Sequence, residues 1–175
     1  LEAIATLQED ALGDSTSAFD TMARALGIEP DNEVVVSALE RLASVTERYT
    51  DLGKHLEAQA DVIEDLVVKV PLLMIAARVF EDNVGNSAQA TLTYQKVFTA
   101  DGHNLEAAEA LQRLYQASER FDEMSLILQK KSAILNDTDL QKAALAQAAA
   151  IVQDQLNQPS KAIAVYEQIL ELDPE

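Results

Sequence analysis

Residues 161 to 174 read KAIAVYEQILELDP, and this stretch decides the fold. Its apolar residues fall at the spacing that places side chains on one face of a helix: Ala162, Tyr166, Ile169 and Leu170. The helix is predicted to end at Asp173-Pro174, because a residue that precedes proline avoids the helical conformation. The stretch is therefore predicted to be an amphipathic helix with a defined end.

The same pattern occurs twice more at a constant interval, which separates Ala18 from Ala90 and Ala90 from Ala162. We call the sequence separation between Ala18 and Ala90 the repeat interval. The aromatic residue of the last copy, Tyr166, recurs in the middle copy as Tyr94. A pattern that repeats at a fixed interval predicts an array of similar structural modules, each of which covers the apolar face of its neighbour.

Each copy of this helix follows another helical pattern and a short polar turn. The turns are Gly13-Asp14-Ser15, Gly85-Asn86-Ser87 and Asn157-Gln158-Pro159. The Gly or Asn at the start of each turn predicts the end of one helix. In the first two turns the serine is predicted to cap the next helix. In the third turn the proline is predicted to be in the first turn of the next helix. Each copy is therefore predicted to be a helical hairpin.

A second kind of hairpin alternates with the first. It is marked by Glu47-Arg48-Tyr49 and, one repeat interval later, by Glu119-Arg120-Phe121. Its first helix is predicted to begin after Asn32 in one copy and at Asn104 in the other, because Asn caps helices well. On the earlier of these helices Ala38, Leu39, Leu42 and Val45 are predicted to line one side. One full unit, which covers one repeat interval, thus holds four helices.

The composition agrees with a helical protein and limits the kinds of partner that it can bind. Gly and Pro number only 5 and 4 among 175 residues, so few helix breakers are present. The net charge of −17 would repel nucleic acid and anionic lipid, and it favours a basic protein or peptide as partner. Most of the acidic side chains are interpreted as a solvated surface.

Several features limit what else can be predicted. The absence of cysteine excludes disulfides and thiolate sites and leaves the compartment open. The most apolar run, residues 66 to 77, contains Lys69 and Pro71 and is too short to cross a membrane, so no membrane insertion is expected. The helical pattern that is already present at Leu1 suggests a fragment of a longer array.

Pro71 departs from the repeat, because its counterpart one repeat interval later is Ala143. A proline inside a helix removes one hydrogen bond and clashes with the preceding turn. The helix in this region is therefore predicted to begin at about Pro71 or to kink there.

The residues identify a family resemblance. Leu111, Tyr115, Phe121, Met124 and Leu128 fall at the signature positions of the tetratricopeptide repeat, and the segment from Ala162 to Pro174 matches the second half of that signature. The chain resembles a tetratricopeptide-repeat array along its whole length, and its doubled units of alternating hairpins resemble those of large bacterial repeat proteins. The first-helix glycine of the family is replaced here by Gln112 and Ala150.

The resemblance implies an all-α fold, a right-handed α-solenoid of antiparallel hairpins, with about five hairpins and ten helices. A single segment over residues 1–175 is expected. The predicted hairpins span residues 1–30, 31–69, 70–102, 103–136 and 137–175.

No catalytic or metal-binding constellation is found in the sequence. His55 and His103 occupy different positions of the repeat and are interpreted as surface residues, so no metal and no cofactor is predicted. The acidic pair Glu9-Asp10 lacks the pattern of a calcium loop and is predicted to face solvent or to cap the turn. Asn136-Asp137-Thr138 is interpreted as a helix start in preference to a glycosylation site.

The resemblance places a set of candidate binding residues on the inner, concave face of the array: Ser37, Arg41 and Ser44 from one first helix, and Glu109, Arg113 and Gln116 from its counterpart. Arg41 and Arg113 could hold carboxylates of a partner. Glu109 can pair with Arg113 along the helix, whereas Ser37 cannot pair with Arg41, so Arg41 is predicted to be the freer arginine.

The resulting hypothesis is a non-catalytic scaffold that binds a peptide or partner protein through the concave face. The alternative hypothesis is a spacer or assembly element that associates with itself through exposed ends. An enzyme is not predicted, since no nucleophile, base and oxyanion donors can be assembled from the sequence.

Overall fold

The computed structural model describes residues 1–172 and shows helices joined by short turns. The helices are α1 (Glu2–Asp10), α2 (Ser15–Leu26), α3 (Glu33–Thr46), α4 (Tyr49–Val62), α5 (Leu66–Arg78), α6 (Ser87–Ala100), α7 (Leu105–Ala117), α8 (Phe121–Ile134), α9 (Thr138–Asp154) and α10 (Pro159–Leu172). A π-helical turn, Val79–Asn83, extends α5. The predicted end of the last helix at Asp173-Pro174 lies outside the described residues.

The chain divides into two compact units, Leu1–Asp101 and Gly102–Glu175. In the first unit each helix from α1 to α6 packs against the next, and α2 also contacts α4. In the second unit α7 packs on α8, α8 on α9, and α9 on α10. Within each unit, hairpins stack in chain order. The predicted all-α fold of consecutive helical hairpins is confirmed, with ten α-helices among the described residues.

The backbone turns between helices recur at the same repeat interval as the sequence. Left-handed residues end the first helices of one hairpin type at Gly13, Gly85 and Asn157, and those of the other type at Glu47 and Glu119. The amides of Asp14, Asn86 and Gln158 donate to carbonyls six residues earlier, at 2.8 to 3.0 Å. This bond satisfies an otherwise orphaned carbonyl at the helix end. The same turn therefore forms three times, one repeat interval apart.

The residues that cap α2 and α6 differ from those predicted from the sequence. The side chains of Asp14 and Asn86 cap α2 and α6 by accepting from Ser17 N and Gln89 N, so the predicted capping role of Ser15 and Ser87 is wrong. Each serine is instead the first helical residue. An aspartate or asparagine directly before the serine offers a side-chain oxygen to the first turn, and it occupies the cap position.

The other predicted helix starts are confirmed. Asn32 caps α3 by accepting from the amides of Val34 and Val35, and Asn104 caps α7 by accepting from Ala107 N. Asp137 caps α9 in the same way, which supports the interpretation of residues 136–138 as a helix start. Pro159 is the first helical residue of α10, as predicted.

The predicted start of α5 at about Pro71 is wrong. The helix begins at Leu66, and Pro71 lies inside it. Asp65 supplies a strong start, because its side chain accepts from Val67 N and its carbonyl accepts from the amides of Val68 and Lys69. The first turn is thus fixed before the proline is reached, and the third hairpin starts earlier than residue 70.

Equivalent residues of different copies are buried in the middle of the chain, but their counterparts on the first and last helices are more exposed. Leu73 and Leu145 are buried, whereas their counterpart Leu1 on the first hairpin is exposed. Met22 and Tyr94 are buried, but their counterpart Tyr166 is 40% exposed. Val45, which was predicted to share one side of α3 with Leu39 and Leu42, is exposed. The buried face of that helix is formed by Val35, Val36, Leu39, Leu42 and Ala43.

Candidate functional site

The candidate residues on α3 lie on one exposed strip of that helix. Ser37, Arg41 and Ser44 are all exposed. Arg41, however, has a partner outside its own helix. Its guanidinium forms a bidentate ion pair with the Glu9 carboxylate on α1. The Nη1–Oε1 distance is 2.5 Å and the Nη2–Oε2 distance is 2.6 Å.

The partner of Arg41 is separated from it by 32 residues, so helix spacing alone does not reveal it. Stacking of the first two hairpins brings α1 beside α3, and this places Glu9 opposite Arg41. The sequence does contain a signal: both residues recur at the repeat interval, as Glu81 and Arg113.

The ion pair shifts the titration of both groups. A hydrogen bond from Arg41 lowers the pKa of Glu9 below its ordinary value, and burial only partly opposes this. The same hydrogen bond raises the pKa of Arg41. The side chains of Arg41 and Glu9 are 55% and 23% exposed, so solvent screens their attraction and its contribution to stability is small.

We expect Glu9→Gln to lower the free energy of unfolding by about 0.5–1 kcal/mol at neutral pH. Because the folded pKa of Glu9 is depressed, its stabilising effect is present above the unfolded value and is lost as the pH falls below 4.5. Urea unfolding at pH 7 and pH 3 measures this difference. The exchange variant Glu9→Arg/Arg41→Glu should regain the loss, and a deficit that is equal at both pH values would contradict the electrostatic account.

The candidate residues on α7 are also exposed. Glu109 was predicted to pair with Arg113 along the helix. The structure places its carboxylate 3.1 Å from the Lys131 ammonium group on α8. Gln116 lies about two turns beyond Glu109 on the exposed side of α7. This group of residues belongs to the second unit, whereas the group on α3 belongs to the first.

A cleft between α3 and α5, which we call the α3/α5 cleft, was not predicted from the sequence. It encloses about 610 Å³ and contains Ser37 in its wall. Its other lining residues are Pro30, Asp31, Glu33, Val36, Glu40, Asp65, Val67, Val68, Pro71, Leu72 and Ile75. The break in the repeat at Pro71 is the sequence signal that marks it, because this proline lies in the cleft wall.

The surface between α1 and α3 has a different character. It is a smaller depression of about 130 Å³, lined by Glu9 and Arg41 together with Val34. The ion pair crosses it, and Glu2 adds a second carboxylate to its lining, so it contains both acidic and basic groups. The α3/α5 cleft has four acidic lining residues and no basic one.

A polar cluster joins the second helices α4 and α6. The Lys96 ammonium group lies 3.0 Å from Glu57 Oε1 and 2.8 Å from Asp61 Oδ2, and Thr93 Oγ1 donates to Glu57 at 3.2 Å. Partial burial acts to lower the pKa of Lys96, but the bonds and charges of Asp61 and Glu57 raise it on balance. All members have partners, so this cluster is interpreted as a link between hairpins.

The histidines do not form a metal site. His55 is exposed on α4, with its ring centroid 6.1 Å from that of Phe19, and His103 is exposed in the turn before α7. Within residues 1–172 no group of three or more histidine or acidic side chains could hold a metal ion. No described helix is both long and apolar enough to cross a membrane.

Paired helices that stack in chain order, with the same turns repeated at a constant interval, define a helical-repeat protein. Residues 143–175 match the family profile of the tetratricopeptide repeat, and this match confirms the predicted resemblance to that family. Tetratricopeptide repeats in general mediate protein–protein interactions, and the family generally consists of non-enzymatic scaffolds.

Among solved structures, the crystal structure of a thermophilic tetratricopeptide-repeat protein in Thermus thermophilus is similar to this chain. The alignment has 18% sequence identity and a TM-score of 0.40, and it covers 99% of this chain and 90% of that one. A comparison with curated proteins finds no significant match.

Proposed function

We propose that this chain is a non-catalytic scaffold that binds a peptide or a partner protein along the exposed strips of its first helices. The observation that carries the proposal is the open α3/α5 cleft, which lies between two neighbouring first helices and contains the predicted binding residue Ser37. The tetratricopeptide match adds support, since such repeats serve protein interaction. The net charge of −17 favours a basic partner.

The proposed binding residues fall into two groups, one on each unit: Ser37, Arg41 and Ser44 on α3, and Glu109, Arg113 and Gln116 on α7. Arg41 is already engaged by Glu9, so a partner carboxylate would have to share its guanidinium. The serines carry hydroxyl groups that can donate to or accept from the backbone of an extended peptide. Binding through α3 therefore depends more on the serines and on the cleft than on a lone charge.

Selection from a displayed library of random twelve-residue peptides tests this proposal with the full chain. Selected peptides are titrated into the ¹⁵N-labelled protein, whose mass of 19.1 kDa suits NMR. We expect enrichment of peptides that shift the amide signals of α3 and α5. No enrichment above an unrelated helical protein, or shifts confined to the second helices α2, α4 and α6, would contradict the proposal.

A second candidate function is an assembly element that associates with itself, and the exposed apolar faces of α1 and α10 favour it. Ile4 and Leu7 on α1 are 51% and 63% exposed, and Ile163 and Leu170 on α10 are 58% and 69% exposed. Apolar faces of this kind are typical of interaction surfaces.

Light scattering over a range of protein concentrations distinguishes the two candidates. An assembly element should increase in mass as concentration rises, and Ile163→Lys/Leu170→Lys should abolish the increase. A mass that stays at one chain up to high concentration would exclude this second candidate and leave the scaffold proposal unaffected.

A further inference from the structure

The floor of the α3/α5 cleft is apolar. Val36 and Leu72 are 8% and 3% exposed and close its base, with the half-buried Ile75 beside them. The wall on α5 presents Val67, which is 81% exposed, and the exposed ring of Pro71. An aliphatic side chain placed here would cover apolar surface that now contacts water, and burial of such surface is favourable.

The rim of the cleft is acidic. Asp31, Glu33 and Glu40 approach it from the α3 side, and Asp65 from the start of α5. Among the described residues, Asp31, Glu33 and Glu40 form no ion pair, in contrast to Glu9 and Glu57. Several unpaired carboxylates around an apolar floor favour a ligand with positive charges on both sides of an apolar group.

Pro71 leaves one backbone carbonyl of α5 without its usual donor. A helical residue normally donates its amide hydrogen to the carbonyl four residues earlier, which here belongs to Val67. Proline has no amide hydrogen, so the Val67 carbonyl lacks its usual donor. Both residues line the cleft, and an extended peptide carries amide hydrogens that suit such an acceptor.

The counterpart surface in the second unit lacks these features. One repeat interval later, Glu40 and Ile75 are replaced by Gln112 and Gln147, and these two side chains meet across α7 and α9 at 3.5 Å. Pro71 is replaced by Ala143, which restores an amide hydrogen. The acidic rim, the apolar floor and the proline thus occur together in the first unit, where the repeat is broken.

We infer that the α3/α5 cleft binds an extended segment of a partner protein in which one aliphatic side chain is flanked by lysine or arginine residues. The aliphatic side chain lies on Val36, Leu72 and Ile75, and the basic residues face the carboxylates of Glu33 and Glu40. This inference rests on the proposed scaffold function and specifies the chemistry of its partner.

Three labelled peptides test the inference by fluorescence anisotropy with the full chain. The first contains Lys-Lys-Leu-Lys-Lys between serines, the second replaces the leucine with serine, and the third replaces the lysines with glutamates. We expect the first to bind about tenfold more tightly than either of the others. Equal affinity of the leucine and serine peptides would overturn the inference, because net charge alone would then explain binding.

Matched variants locate the binding site. Glu33→Gln/Glu40→Gln should weaken the first peptide about tenfold, whereas Glu167→Gln/Glu171→Gln on α10 removes the same charge and should leave its affinity unchanged. Ser37→Phe should block the cleft, and Ser160→Phe, at an exposed serine on α10, should not. Circular dichroism verifies that each variant is folded. Equal losses for the cleft variants and their controls would overturn the inference.

The outcomes separate this inference from the proposed function. If library-selected peptides shift α3 signals while the lysine–leucine peptide fails to bind, the partner chemistry assigned to the cleft is wrong and the scaffold proposal stands. If neither the selected peptides nor the lysine–leucine peptide binds, both proposals fail.

Discussion

Replacement of Gly53 by serine is expected to lower the free energy of unfolding by about 1–3 kcal/mol. Gly53 is buried in α4, and a Cβ atom there would lie 2.7 Å from Cε1 and Cζ of Phe80. The Phe80 ring is only 2% exposed, so it has little room to move away. The better helix propensity of serine offsets only part of this overlap. Urea unfolding followed by circular dichroism measures the loss.

The repeat itself supplies the rescue for this variant. The counterparts of Gly53 and Phe80 are Ser125 and Val152, both buried in the second unit, where a larger residue on α8 faces a smaller one on α9. The Ser125 hydroxyl donates to the Asp122 carbonyl at 3.0 Å, so a buried serine is satisfied at this position. Gly53→Ser/Phe80→Val should therefore copy an arrangement that the chain already uses.

A double-mutant cycle quantifies the contact. We expect a favourable coupling of about 1–2 kcal/mol between Gly53→Ser and Phe80→Val, since each change accommodates the other. Gly27→Ala is the matched control, because a Cβ atom there meets its nearest neighbour at an ordinary 3.5 Å. The absence of coupling, or an equal loss of stability for Gly27→Ala, would contradict this prediction. It would show that overlap with Phe80 is not the reason why a side chain at position 53 destabilises the protein.

Pro71→Ala is expected to stabilise the protein by about 1–3 kcal/mol, because it replaces the poorest helix former with the best one. The change also restores an amide hydrogen for the Val67 carbonyl. Because Pro71 is exposed, the substitution removes little buried contact. The midpoint of urea unfolding should rise.

Pro159→Ala is the control for that prediction. Pro159 is the first residue of α10, where an amide hydrogen would have no partner within the helix, so its replacement should change stability little. If Pro71→Ala were no more stable than the parent chain, the proline would cost α5 no stability and the prediction would be wrong. The same variant should bind the lysine–leucine peptide more weakly, because the Val67 carbonyl would then be occupied within the helix.

The helical elements were predictable from the sequence because their signals are local and repeated. Asn32 and Asn104 predicted helix starts, and Gly13 and Gly85 predicted helix ends, since each residue acts on its own turn. Two copies of each signal made the interpretation more secure than one. The hairpins then followed from the short polar turns.

The site was harder to predict because it depends on contacts between modules. The pairing of Arg41 with Glu9 requires α1 and α3 to lie side by side, and the α3/α5 cleft requires the same of α3 and α5. Pro71 misled the prediction of α5, because the cap formed by Asp65 was not recognised. The residue that broke the repeat was interpreted as a helix boundary or a kink, and it lies inside the helix, in the wall of a cleft.

The central claim is that one hairpin geometry recurs at the repeat interval, and spin-label distances test it most directly. The chain has no cysteine, so labels can be placed at chosen sites without background. Equivalent exposed pairs are available in three hairpins: Asp10→Cys/Asp20→Cys, Asp82→Cys/Leu92→Cys and Asp154→Cys/Ala164→Cys. Pulsed electron paramagnetic resonance should give three coincident distance distributions. Three distinct maxima would contradict the claim.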